Sequence, residues 1–182
     1  MKTRLVKNAT LVLVSAVALI LTAHALANIQ CPTGSNGKCE GGPSENNLQG
    51  TPNYDNMFGY GDKDTLRGYG SADDLDGGDG ADTLIGSDGF DDVKGGTNPD
   101  DAQGNDGNDD VRGGDGSDDV WAQQGNDELW GGDQDDDMLA YSGVSGEYTA
   151  VDAGAGNSDD CWVDTNDDWT GCDGNVYHST PD

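Results

Sequence analysis

An aliphatic side chain recurs at every ninth residue through the middle of this chain: Leu66, Leu75, Leu84, Val93, Ala102, Val111, Val120, Leu129 and Met138. Two places before each stands an aspartate, giving Asp64, Asp73, Asp82, Asp91, Asp100, Asp109, Asp118, Asp127 and Asp136. A fixed period of this kind, with glycine at its start, is the mark of a solenoid. Cut in phase, residues 41–139 form eleven nine-residue units without a gap, as in Gly77-Gly78-Asp79-Gly80-Ala81-Asp82-Thr83-Leu84-Ile85. The first two units are worn. One carries Asn46 in the acidic place, and the next keeps Asp55 and Met57 in register.

Each unit predicts a turn of six residues and a strand of three, with the eighth residue inward. Glycines at positions one, two and four admit the positive φ that a tight turn requires. Two units close a coil of 18 residues with a strand on each side, so units two apart stack directly. The predicted fold is all-β: a right-handed parallel β-roll (a β-solenoid) with two units per coil and disulfide-capped ends. Weak points are expected at residues 95–103, where Asn98-Pro99 fills the turn and Ala102 is small, and at residues 122–130, which lack the opening glycine. Residues 140–153 break the register, with an alternating Tyr148-Thr149-Ala150-Val151 that suits a strand. The pattern then returns once over residues 154–162, with Cys161 in the inward place.

Composition alone would argue against any fold. Thirty glycines, two phenylalanines, a hydrophobic fraction of 32% and a net charge of −28 place the chain near disordered acidic sequences. The strict period argues the opposite, so something beyond the composition must favour folding. Residues 1–27 read as an export signal: Lys2, Arg4 and Lys7 precede an apolar run from Leu11 to Leu21, and Ala25-Leu26-Ala27 supplies the cleavage pattern. That run is shorter than the roughly 20 residues a membrane span needs. A mature chain beginning at Asn28 loses those three cations and no acid, and its charge becomes −31. It would be extracellular or periplasmic, without a membrane span, and would repel nucleic acid and anionic lipid. Its natural partner is a cation.

The four cysteines, Cys31, Cys39, Cys161 and Cys172, flank the repeats. In an exported chain an even number reads as disulfides. A rod of about five and a half turns at roughly 4.8 Å per turn separates its ends too far for a cross-link between them. Cys31–Cys39 and Cys161–Cys172 are therefore the expected pairs, bounding an N-terminal cap over residues 28–40 and a C-terminal cap over residues 140–182.

Stacking places Asp64, Asp82, Asp100, Asp118 and Asp136 in one column, and Asp55, Asp73, Asp91, Asp109 and Asp127 in another. Carboxylates about 4.8 Å apart repel strongly unless a cation lies between them. Calcium, which takes six to eight oxygens in flexible geometry, meets that need better than magnesium. Softer metals would call for His or Cys, and the repeats contain neither. Several calcium ions are expected, at most about nine, held by these aspartates and by turn carbonyls. The units resemble the nonapeptide repeat of RTX proteins, the hemolysin-type calcium-binding repeats, whose pattern is Gly-Gly-x-Gly-x-Asp-x-apolar-x. That resemblance implies a parallel β-roll with calcium between turns, bound by the sixth-position aspartates and by backbone carbonyls. Many members of that family carry a C-terminal export signal, whereas this chain has the N-terminal one.

Nothing in the sequence points to catalysis. His178 is the only histidine after the signal, and no nucleophile elbow, phosphate loop or acid–base pair stands outside the acidic columns. Trp121 and Trp130 occupy position nine of neighbouring units, hence opposite faces, and read as packing flanks; Trp162 and Trp169 read as cap cover. The expected function is an exported protein that folds on binding calcium. The alternative is a surface adhesin or scaffold using the calcium-stiffened rod, with the cell envelope or a glycan as partner.

Overall fold

The computed structural model describes residues 27–33, 37–140, 142 and 147–179. Apart from Ala27, the segment read as an export signal lies outside the described residues. Among the described residues seventeen strands follow in chain order, from β1 (Ala27–Gln30) and β2 (Gly37–Gly42) to β16 (Asp168–Thr170) and β17 (Val176–Ser179). Odd-numbered strands form a nine-stranded sheet and even-numbered strands an eight-stranded one. Neighbours pair in parallel, and along the repeats each residue faces the one 18 places on, as Val93 faces Val111 and Val111 faces Leu129. The molecule is a parallel β-solenoid of about eight turns. Among the described residues no helix is long and apolar enough to cross a membrane.

The strands are twice as long as the repeat suggested. β5 (Thr65–Gly70) and β6 (Asp74–Asp79) each run from position seven of one unit through position three of the next. The bends shrink to positions four to six. The reason is that ladder hydrogen bonds use only backbone groups, so a glycine pair extends a strand if its neighbours hold it. Within the repeats positive φ is confined to positions two and four: Gly78, Tyr60 and Tyr69 show it at the second, Gly80, Asp62 and Ser71 at the fourth.

Position one has a different requirement. Burial alternates along each strand so that positions six, eight and one all point inward, as at Asp64, Leu66 and Gly68. A Cβ on Gly77 would lie 2.5 Å from Asp82 Oδ2 and 2.6 Å from the Gly95 carbonyl oxygen. Glycine stands there for close approach, not for its dihedral freedom.

The core is two columns of eighth-position side chains. Leu48, Leu66, Leu84, Ala102, Val120, Met138 and Cys161 line one sheet; Cys39, Met57, Leu75, Val93, Val111, Leu129 and Val151 line the other, and all are buried. Both expected weak points are paired without a break. Ala102 is fully buried between Leu84 and Val120, and Ala122 fills a position-one place at 0% exposure.

The segments flanking the repeats join the same sheets. Two insertions shift their register. Tyr148 bonds to Asn126, 22 places back, and Asp136 to Asp159, 23 places on, against 18 within the repeats. In β14 (Ala150–Ala155), Gly154 pairs with Gly132, so Ala153 takes position one and Gly154 takes position two with φ 96°. The returning unit therefore begins at Ala153 rather than Gly154, with one extra residue in its bend. A single glycine was read as the opening one when the backbone uses it for its left-handed dihedral.

Disulfides join Cys31 to Cys39 and Cys161 to Cys172. Cys39 and Cys161 stand in the inward eighth places, so each bond ties a core rung to the chain beside it. Replacing Cys161 and Cys172 together by alanine is expected to lower stability in saturating calcium by about 3 kcal/mol, from the entropy of a short closed loop. Calcium-loaded thermal melts of the double variant measure this.

Candidate metal centre

Each bend presents its sixth-position aspartate to the coil that precedes it. The Asp64 N–H donates to Asp82 Oδ1 at 2.6 Å, Asp82 to Asp100 at 2.7 Å, Asp100 to Asp118 at 2.8 Å, and Asp118 to Asp136 at 2.9 Å. The second column repeats this through Asp55, Asp73, Asp91, Asp109 and Asp127 at 2.7–2.9 Å. All ten are at most 4% exposed. The structure thus brings the ten aspartates into two columns.

Only one carboxylate oxygen of each is satisfied. The Oδ2 atoms of Asp64, Asp73, Asp82, Asp91, Asp100, Asp109, Asp118, Asp127 and Asp136 are buried with no hydrogen-bond partner, as is Oδ1 of Asp55. A buried unpaired carboxylate oxygen is expensive, because water is removed and nothing replaces it. Burial accordingly pushes these acids up: to about 8 for Asp100, about 7 for Asp73, Asp91, Asp109, Asp127 and Asp136, and about 6 for Asp82 and Asp118. The N–H bond from the preceding coil offsets part of that desolvation. Asp64 is raised for the same reason.

Carbonyls face the same spaces. A Cβ on Gly80 would lie 2.1 Å from the Asp62 carbonyl oxygen and 2.9 Å from Asp82 Oδ1. Among the described residues no three His, Cys, Asp or Glu side chains converge on one point. An ion here would draw the rest of its shell from bend carbonyls and water, which suits a hard cation of flexible geometry. Orphaned buried carboxylate oxygens and glycine-cleared space between turns fit calcium.

The columns run further than the repeat pattern showed. Asp159 continues the first, accepting from the Asp136 N–H at 2.9 Å, and its own Oδ2 is buried without a partner. In the second, Thr149 takes the acidic place and Asp167 Oδ1 accepts its N–H at 3.0 Å. Asp159 was visible as the acid of the returning unit. Asp167 was hidden because the insertion displaces it from the nine-residue count. Replacing Asp100 by asparagine breaks the charge on both sides of one rung, so calorimetry is expected to count one to two fewer calcium ions, with the fold retained at high calcium.

Comparison with known proteins agrees. Four copies of the RTX calcium-binding nonapeptide repeat match, at residues 40–75, 49–84, 85–120 and 112–144. Neither the curated proteins nor the solved structures returned a match. The repeats of this family bind calcium, and together the four copies span residues 40–144, more than half of the chain. With its solenoid of paired aspartate columns, the chain belongs to the RTX calcium-binding nonapeptide repeat family.

Proposed function

We propose that this calcium-binding repeat protein is exported and that it folds when several calcium ions enter between its stacked bends. The observation that carries the reading is the set of buried, unpartnered aspartate oxygens repeated at every rung. In the unfolded chain these carboxylates are hydrated and separated; in the solenoid they are dry and adjacent. Cation binding then supplies the free energy of folding. Five intervals in the first column and four in the second are bounded by aspartate at both ends, which supports up to about nine ions. Asp55, Asp64, Asp73, Asp82, Asp91, Asp100, Asp109, Asp118, Asp127 and Asp136 are the proposed ligands, joined by Asp159.

Export is supported by the basic start, the short apolar run and the Ala25-Leu26-Ala27 pattern. A cation concentration of about 10⁻⁴–10⁻³ M, typical of extracellular modules, would then switch the chain from expanded to folded on arrival outside the cell. The proposed role is binding rather than catalysis.

Titration of the metal-free protein with calcium is expected to produce a large gain of β circular dichroism, with calorimetry counting several ions. Magnesium is expected to produce little, because it demands octahedral geometry and holds its waters. An equal response to the two ions would overturn the assignment.

A further inference from the structure

Trp121 and Trp162 lie on one face, which a comparison of adjacent units could not reveal. In the nine-stranded sheet, β11 (Asp119–Gln124), β13 (Asp137–Leu139), β15 (Asp160–Asp164) and β17 lie side by side. Their register aligns Trp121 with Leu139, Leu139 with Trp162, and Trp162 with Tyr177. The Trp162 and Tyr177 rings stack at 4.8 Å and 11°. Two residues before Trp121, Leu139 and Trp162, the residues Asp119, Asp137 and Asp160 align in the same way. A cavity of about 330 Å³ opens over Leu139, lined by Asp119, Trp121, Asp137, Leu139 and Trp162.

The opposite sheet contains the same arrangement with its occupant present. On β10 (Asp110–Asp115), Arg112 stands beside Trp130 of the next rung, its guanidinium 4.6 Å from the ring centroid. Arg112 Nη1 donates to Asp92 Oδ1 of the rung before at 2.8 Å, and Nη2 to Asp110 of its own rung. Leu139 takes the place of Arg112, with Trp162 on the next rung, Asp137 on its own and Asp119 on the one before. The aromatic face and both carboxylates are thus retained while the cation is lost. Among the described residues, no cation pairs with Asp119 or Asp137. The chain has no lysine or arginine after Arg112 to supply one.

We propose that the groove over Leu139 docks an arginine side chain from a partner polypeptide, its guanidinium lying between the Trp121 and Trp162 rings and bonded to Asp119 and Asp137. Charge complementarity selects a cation. The aromatic walls select guanidinium over ammonium, because a planar, weakly hydrated group can stack while it donates in the plane. The partner class is an arginine-bearing strand or loop laid along the outer face of the sheet. This surface is separate from the calcium columns, which face inward at the bends.

The test uses the full mature chain in saturating calcium, with circular dichroism checked for every variant so that loss of fold is distinguished from loss of docking. The probe is an acetylated Gly-Arg-Gly-Arg-Gly amide, against its lysine and citrulline counterparts, read by tryptophan fluorescence and calorimetry. The arginine peptide is expected to bind at least about fivefold more tightly than either counterpart. Trp162→Ala and Asp137→Asn are each expected to weaken it about fivefold, with Trp130→Phe on the other sheet unchanged. Equal binding of arginine and lysine peptides would reduce the effect to general attraction by an acidic surface and overturn the proposal. So would displacement of the peptide by calcium, or binding of a neutral oligosaccharide in preference to it.

Discussion

In a calcium chelator the protein is expected to be ordered near pH 4 and to lose its β circular dichroism as the pH rises through about 6 to 8. The physical cause is the burial of the sixth-position aspartates. Their folded-state values are raised to about 6 for Asp82 and Asp118, about 7 for Asp73, Asp91, Asp109, Asp127 and Asp136, and about 8 for Asp100, against 3.8 for a free carboxyl. Between those limits the folded chain binds more protons than the unfolded one, so stability falls as pH rises. The contribution is complete below about pH 4 and is lost once the pH passes the folded values. Calcium is expected to reverse the sign, because the proposed sites bind it through deprotonated carboxylates. Its stabilisation is therefore greatest at neutral pH and declines on acidification. Two ordered regimes should result, one acidic and metal-free, the other neutral and calcium-loaded. Circular dichroism over a grid of pH and free calcium maps them. Full order in chelator at pH 9 would overturn the account, since the buried carboxylates would then be tolerated without proton or ion.

The second large effect belongs to a glycine. Gly125 adopts φ +143°, and a Cβ there would lie 1.4 Å from the Gly107 carbonyl oxygen and 3.0 Å from Asp127 Oδ1. The clash is with backbone of the adjacent rung, which the ladder holds in place on both sides. Gly125→Ala combines dihedral strain of about 1–3 kcal/mol with overpacking of similar size. It should raise the calcium concentration needed for half-folding and lower the melting temperature at saturation. Gly61→Ala is the contrasting substitution. A Cβ there meets nothing nearer than the Asp79 carbonyl oxygen at 3.9 Å. It is expected to be neutral or slightly stabilising, by about 0.4–1 kcal/mol, through the unfolded chain. Equal losses from the two substitutions would show that glycine content matters only for flexibility.

The folding class, the two columns and the inward eighth-position residues were legible because one period controls all three; the inward place of position one was not. Leu84 and Asp82 each stand for a whole column once the 18-residue coil is recognised. The strand length was not legible, because glycines at positions one and two are read as turn formers when sequence is taken alone. Neighbouring rungs hold them extended, and this leaves the bends only three residues. The same ambiguity misplaced the start of the returning unit by one residue, since Gly154 serves position two and Ala153 position one. Asp167 was lost from view for a related reason: an insertion destroys a count but not a ladder, as the Thr149 N–H bond to Asp167 shows.

By itself the sequence determined what repeats, which aliphatic residue of each unit points inward and which cation the repeated acids demand. Those properties follow from local spacing, and no distant contact can alter the order of residues within a unit. Only the tertiary structure decided which oxygen of each aspartate is left without a partner, and which outward side chains become neighbours. Both depend on the lateral register between rungs, and in the case of Trp121, Leu139 and Trp162 that register absorbs an insertion before it is restored.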